Sequence, residues 1–113
     1  MEFWHNPRCA KSREALALLR AKGIEPQIRD YMKAPPSPEE IGAVAERLGF
    51  AHVRDMMRTK EAAYAERGLK AVEDPAALLD AMAQEPKLIE RPILINGDRA
   101  VIGRPPERIL EAV

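Results

Sequence analysis

The chain has one cysteine, no net charge and no long apolar run. A single thiol excludes an internal disulfide and any zinc centre built on paired cysteines. Lys+Arg and Asp+Glu both number 18, so bulk charge gives no attraction to nucleic acid or an anionic membrane, and neither partner is expected. No segment approaches the ~18 apolar residues of a membrane helix, and the opening run lacks the form of a signal peptide. The expected compartment is the reducing cytoplasm. Repeats, low-complexity tracts and flexible linkers are also lacking.

What is present suits one globular domain over residues 1–113. With 46% hydrophobic and 32% charged residues, it can bury a modest core without disulfides or a structural metal. The expected state is a monomer with no bound cofactor or metal. Arginine outnumbers lysine twelve to six. That excess acquires meaning if some guanidiniums converge, because their planar forks suit oxyanions better than ammonium groups do.

Along the chain, Met1 to Trp4 predict a short strand, and Asn6-Pro7 interrupts it. Ala15, Leu16, Leu18 and Leu19 fall at helical spacing within a predicted helix from about Ala10 to Lys22, with Gly23 at its end. The run "PQIRDY" predicts a second strand, giving a strand-helix-strand unit with a parallel pair. From about residue 37 to 85 the chain reads as helices and turns with no strand, an inserted helical subdomain. Ser37-Pro38-Glu39-Glu40 has the form of a capping box, and Asp74-Pro75 opens a later helix that Pro86 closes. Ile93–Ile95 and Ala100–Ile102 then flank Asn96-Gly97 as a predicted hairpin, and "RPPERILEAV" predicts a last short helix. This order is that of an α/β, thioredoxin-like fold: β-α-β, a helical insertion, a β-hairpin and a C-terminal helix.

The lone cysteine lies in "HNPRCAKSR", where the first strand hands over to the first helix. An inert, buried cysteine is the common case, but it sits on an apolar face. Cys9 instead has Pro7, Arg8, Ala10 and Lys11 around it. At a helix start its sulfur faces unpaired N–H groups and the positive end of the helix dipole, which favour the thiolate. His5 is expected to assist as imidazolium or by a hydrogen bond, Arg8 and Lys11 by their charge, and the Ser12 hydroxyl by donating to sulfur. The backbone N–H groups of Ala10, Lys11 and Ser12 also form a candidate oxyanion site. An oxyanion beside a thiolate needs more positive charge. Arg91 and Arg104 each precede a proline, which holds them extended at the entry and exit of the hairpin. Arg58 is a third candidate, from the insertion. Arg54, Arg67, Arg99 and Arg108 are expected to be solvated. Pro92, entering the third strand, is expected to follow a cis peptide bond.

The stretch "HNPRCAKS" resembles the signature His-Asn-Pro-x-Cys-x-x-Ser of the glutaredoxin-coupled arsenate reductases. The resemblance continues in order through "VRDMMRTKEAAYAERGL", "PKLIERPILI" and "IGRPPERIL" and covers essentially the whole chain. It implies that Cys9 is the nucleophile, that His5 helps lower its pKa, and that Arg58, Arg91 and Arg104 bind arsenate or a similar oxyanion. It further implies a covalent thiol–arsenate adduct, glutathione as co-substrate, and glutaredoxin as the partner that helps release arsenite. Ala10-Lys11 stand where the best-known members have Gly-Thr, so Lys11 adds a charge at the anion site. Two other readings compete. A monothiol glutathione-dependent oxidoreductase fits Cys-x-x-Ser but has no use for three arginines. A polymerase-binding regulator of the same fold would use a Cys-x-x-Cys switch, which Ser12 excludes.

Overall fold

A computed structural model describes all 113 residues and divides them into two compact units: Met1–Ala34 with Arg91–Val113, and Pro35–Glu90. The second unit begins and ends close to the expected insertion of about 37–85, with the closing boundary five residues later.

The first unit is built on a four-stranded sheet in the order β2-β1-β3-β4. Strand β1 is Glu2–His5, β2 is Gln27–Asp30, β3 is Ile93–Asn96 and β4 is Arg99–Ile102. Strand β1 pairs parallel with β2 and antiparallel with β3, and β3 pairs antiparallel with β4. Helix α1 (Ala10–Ala21) makes the crossover between the parallel strands. The side-chain period of two explains the sheet's two faces. Phe3, Leu94 and Val101 are direct register partners. They pack with Ala15, Leu16 and Leu19 of α1 and with Ile109 and Ala112 in one cluster. Trp4, Ile93 and Ile102 form the matching row on the other face and are also buried.

One local expectation shifts. The hairpin loop is Gly97-Asp98, one residue beyond the predicted pair, because Asn96 already pairs with Arg99. Gly97 has φ +62° and no non-glycine residue has positive φ. That matches a turn needing a left-handed first position rather than the type that needs two. The predicted last short helix begins at a proline and spans Pro106–Ala112 as a 3-10 helix. Its buried residues Pro106, Ile109 and Ala112 recur every third position, which is the period of a 3-10 helix. Asn96 Nδ2 donates to Ala112 O at 2.8 Å and anchors its end.

The second unit comprises α2 (Pro38–Leu48), α3 (Ala62–Glu66), α4 (Pro75–Gln84) and short 3-10 turns at Val53–Met56, Leu69–Ala71 and Pro86–Leu88. The predicted capping box is complete: Ser37 Oγ accepts from Glu40 N at 3.1 Å, and Glu40 Oε1 accepts from Ser37 N at 3.0 Å. Asp74 caps α4 by accepting from Ala76 N at 3.1 Å. Helix α2 packs on α4, where a Cβ on Gly42 would lie 3.3 Å from Leu79 Cδ1. One isolated antiparallel bridge, Met57 with Ile89, interrupts the otherwise helical content.

Arg54 corrects the expectation of a solvated side chain. Its guanidinium donates to Tyr64 Oη at 2.6 Å, to Leu69 O at 2.8 Å and to Val72 O. One planar fork therefore ties together three short elements that have little hydrophobic area of their own. Arg54→Ala is expected to lower the unfolding free energy by about 2–3 kcal/mol, read by urea denaturation, from bonds to a charged donor. Arg54→Lys, which keeps the charge and loses the fork, is expected to recover only part of that.

Candidate active site

Strand β1 ends at His5 and α1 starts at Ala10, leaving Asn6, Pro7, Arg8 and Cys9 to reverse the chain. Four bonds define that loop. Asn6 O accepts from Cys9 N at 3.0 Å, and Cys9 O accepts the first helical bond from Arg13 N at 3.0 Å. Asn6 Oδ1 accepts from Arg8 N at 3.1 Å, the local turn an asparagine favours. Arg13 Nη1 donates to Pro7 O at 2.8 Å, clamping the loop from the helix. Sequence reasoning missed the Arg13 clamp, since nothing in helical spacing distinguishes it from a surface residue.

Cys9 is the N-cap of α1, with extended backbone at φ −94° and ψ 121°, and is half-buried. Burial is the largest single influence on its thiol and pushes the pKa up. The Ser12 N–H, the charge of Arg91, a hydrogen bond from the Arg91 side chain and the Lys11 N–H together outweigh it, so the net direction is down. No cap bond of ordinary geometry closes at the sulfur, so the amides act as oriented dipoles. The predicted helpers are partly reassigned. Lys11 contributes its backbone, while its ammonium lies 3.9 Å from Glu14. Arg8, next in sequence, is not among the groups that lower the pKa.

His5 and Ser12 also change roles. Ser12 is wholly buried, and its Oγ lies 2.7 Å from His5 Nδ1 and accepts from Asn6 N at 3.0 Å. The serine group that acts on sulfur is its N–H. Burial lowers the His5 pKa, Asp30 opposes this, and Arg20 and Arg13 reinforce it. A buried imidazole held below its usual pKa is neutral at neutral pH. The imidazolium expectation is therefore replaced by a neutral ring that orients Ser12, which in turn aims the helix start.

Arg91 lies two residues before β3, and the Arg91–Pro92 bond is cis, as the architecture predicts. The Arg104–Pro105 bond is cis as well. Arg104 Nη1 donates to Arg91 O at 3.3 Å, bringing a second guanidinium to the residue that bonds the sulfur. Gly103 keeps this junction close. Its N–H donates to Pro92 O at 2.9 Å, and a Cβ there would come 3.0 Å from Pro92 Cγ and 3.2 Å from Ile109 Cδ1. Arg58 belongs to the second unit, where its Nη1 lies 3.1 Å from Glu61 and also donates to Lys87 O at 3.4 Å. The first unit thus joins Cys9, His5, the amides of Lys11 and Ser12, Arg91 and Arg104 around one end of the sheet. That arrangement combines an ionisable nucleophile with donors for an anion.

The ArsC family matches residues 4–112. The chain belongs to the ArsC family. Over 96% of its length it is 50% identical to the arsenate reductase of Haemophilus influenzae, spanning 95% of that protein. The arsenate reductase of Neisseria meningitidis serogroup A is 45% identical over the full chain and 97% of its own length. The solved structure of arsenate reductase from Vibrio cholerae superposes with a TM-score of 0.96 at 47% identity, covering 100% of this chain and 98% of that one. ArsC membership accounts for the thioredoxin-like order of elements and for the cysteine loop at the end of β1.

Two outcomes follow for the site. Alkylation of Cys9 by iodoacetamide, followed against pH, is expected to inflect below the pH of an unperturbed thiol. Arg91→Ala is expected to move that inflection upward, because a cation that favours the thiolate is lost. For His5, the folded-state pKa lies below the ordinary 6.5. Its contribution to stability is therefore complete above that value and declines as pH falls through the folded pKa. An imidazole NMR titration in the native protein should have its midpoint below 6.5.

Proposed function

We propose that this chain is an arsenate reductase in which the Cys9 thiolate attacks arsenate and external thiols supply the electrons. Attack forms a sulfur–arsenic(V) bond and releases an arsenate oxygen as water. Going from arsenate to arsenite takes two electrons, which two thiols supply on becoming one disulfide. One cysteine per chain cannot form that disulfide internally. Glutathione and a glutaredoxin thiol fill the role, leaving as their mixed disulfide while arsenite departs and Cys9 returns as a thiol.

The observation that carries this reading is the pairing of Arg91 with the sulfur and of Arg104 with Arg91 O. One guanidinium at a half-buried thiolate, with a second held on its carbonyl, suits an oxyanion that must approach a like charge. The family membership and the activity named for its relatives support the same substrate. Arg58 enters the proposal on family resemblance alone. A monothiol oxidoreductase acting on protein disulfides would gain nothing from this cation cluster.

The test is an arsenite-release assay. Release is expected to require arsenate, glutathione and glutaredoxin together and to vanish in Cys9→Ser. Arg91→Ala, Arg104→Ala and Arg58→Ala are each expected to lower turnover on the order of 10²–10³-fold, the usual loss when one oxyanion donor is removed. Failure of the wild type to release arsenite at any arsenate concentration would overturn the assignment.

A further inference from the structure

A cavity of about 340 Å³ lies against the cysteine loop, lined by Asn6, Pro7, Arg8, Asp30, Met32 and Lys33. Its size falls within the roughly 300–1,000 Å³ of small-molecule sites. One wall is the loop that leads into the nucleophile: Arg8 immediately precedes Cys9, and Asn6 O accepts from Cys9 N at 3.0 Å, while Cys9 itself lies outside the lining. The other wall is the turn after β2. Asp30 shapes that turn through Oδ1, which accepts from Met32 N at 3.2 Å and Lys33 N at 3.3 Å. The Asp30 carboxylate keeps a second oxygen beyond that use. Arg8 and Lys33 hold no ion pair within the chain, whereas Arg20, Arg58, Arg67 and Arg108 each do. The exposed Met32 adds an adaptable apolar contact between these charges.

Two cations and one carboxylate against the loop that ends in a nucleophilic cysteine define a ligand of opposite pattern. Glutathione has two carboxylates and one ammonium at neutral pH, with its thiol between them. We propose that this cavity docks glutathione, with Arg8 and Lys33 receiving its carboxylates and Asp30 its α-ammonium. The proposal rests on the reading of Cys9 as a glutathione-dependent nucleophile. The other cavities fit less well. One of about 640 Å³, lined by His5, Arg13, Leu16, Ala17, Arg20 and Ala21, has no carboxylate for the ammonium. Its guanidiniums are engaged, Arg13 with Pro7 O and Arg20 with Glu25. The groove of about 510 Å³ in the second unit has Glu39 and Glu46 as its charged residues, the wrong sign for two carboxylates.

The test needs no arsenate. In the full-length protein, Cys9 thiolate attacks one sulfur of glutathione disulfide, forming a Cys9–glutathione mixed disulfide and releasing one glutathione thiolate. Mass spectrometry follows the rate. Arg8→Ala, Lys33→Ala and Asp30→Asn are each expected to slow this reaction about tenfold, as expected for a lost hydrogen bond to a charged group. Asparagine at position 30 keeps the turn's acceptor. The same variants are expected to react with the neutral hydroxyethyl disulfide within about twofold of wild type, since neither charge pairing nor its loss applies there. Equal slowing with both disulfides, no slowing, or no mixed disulfide in the wild type would overturn the docking site. Charge-dependent slowing without arsenite release would leave the site standing and remove arsenate as substrate. Arsenite release without charge-dependent slowing would do the reverse.

Discussion

Ser12 holds the reactive end of the first unit together. Its hydroxyl is wholly buried and joins the last residue of β1, His5, to the first residue of the loop, Asn6. A buried hydroxyl between two such partners resists displacement, because leaving either unsatisfied carries a desolvation penalty of about 1–3 kcal/mol. The same residue presents its N–H to the Cys9 sulfur. The position of the thiolate is thus coupled to a packed interior rather than to a mobile surface loop. Arg13, reaching back to Pro7 O, holds the other side.

The electrostatics of Cys9 are a contest decided by geometry. Partial burial alone would keep the sulfur protonated, and it is the largest influence acting on it. Two amides and one guanidinium reverse the direction because they converge on the same atom. His5 illustrates the converse. The burial that makes it a firm anchor for Ser12 also removes its charge. Its service to the nucleophile is therefore orientation, and the positive charge comes from Arg91. Arg104 reinforces that corner by bonding Arg91's carbonyl.

In the second unit the same economy appears in Arg54. Three short elements share one guanidinium as their polar centre. A side chain expected in water instead bonds Val72 O at the end of a 3-10 turn and adds a second donor to Leu69 O, which already accepts from Val72 N.

Much of the architecture was readable from the linear order of residues. Short-range physics writes itself into spacing: the 3.6-period apolar positions of α1, the capping box at Ser37, the proline and aspartate that open α4, and the glycine at the hairpin. The cysteine loop was equally visible, because a helix start is a local event and its dipole acts on whatever residue caps it. Folding in space decided which arginines matter. Arg91 reaches sulfur across 82 positions of chain, and Arg54 finds carbonyls 15 and 18 residues away. No periodicity records such pairings. The charge of His5 was likewise set by tertiary structure, since burial is a property of the assembled sheet and helix and not of the residue or its neighbours in sequence.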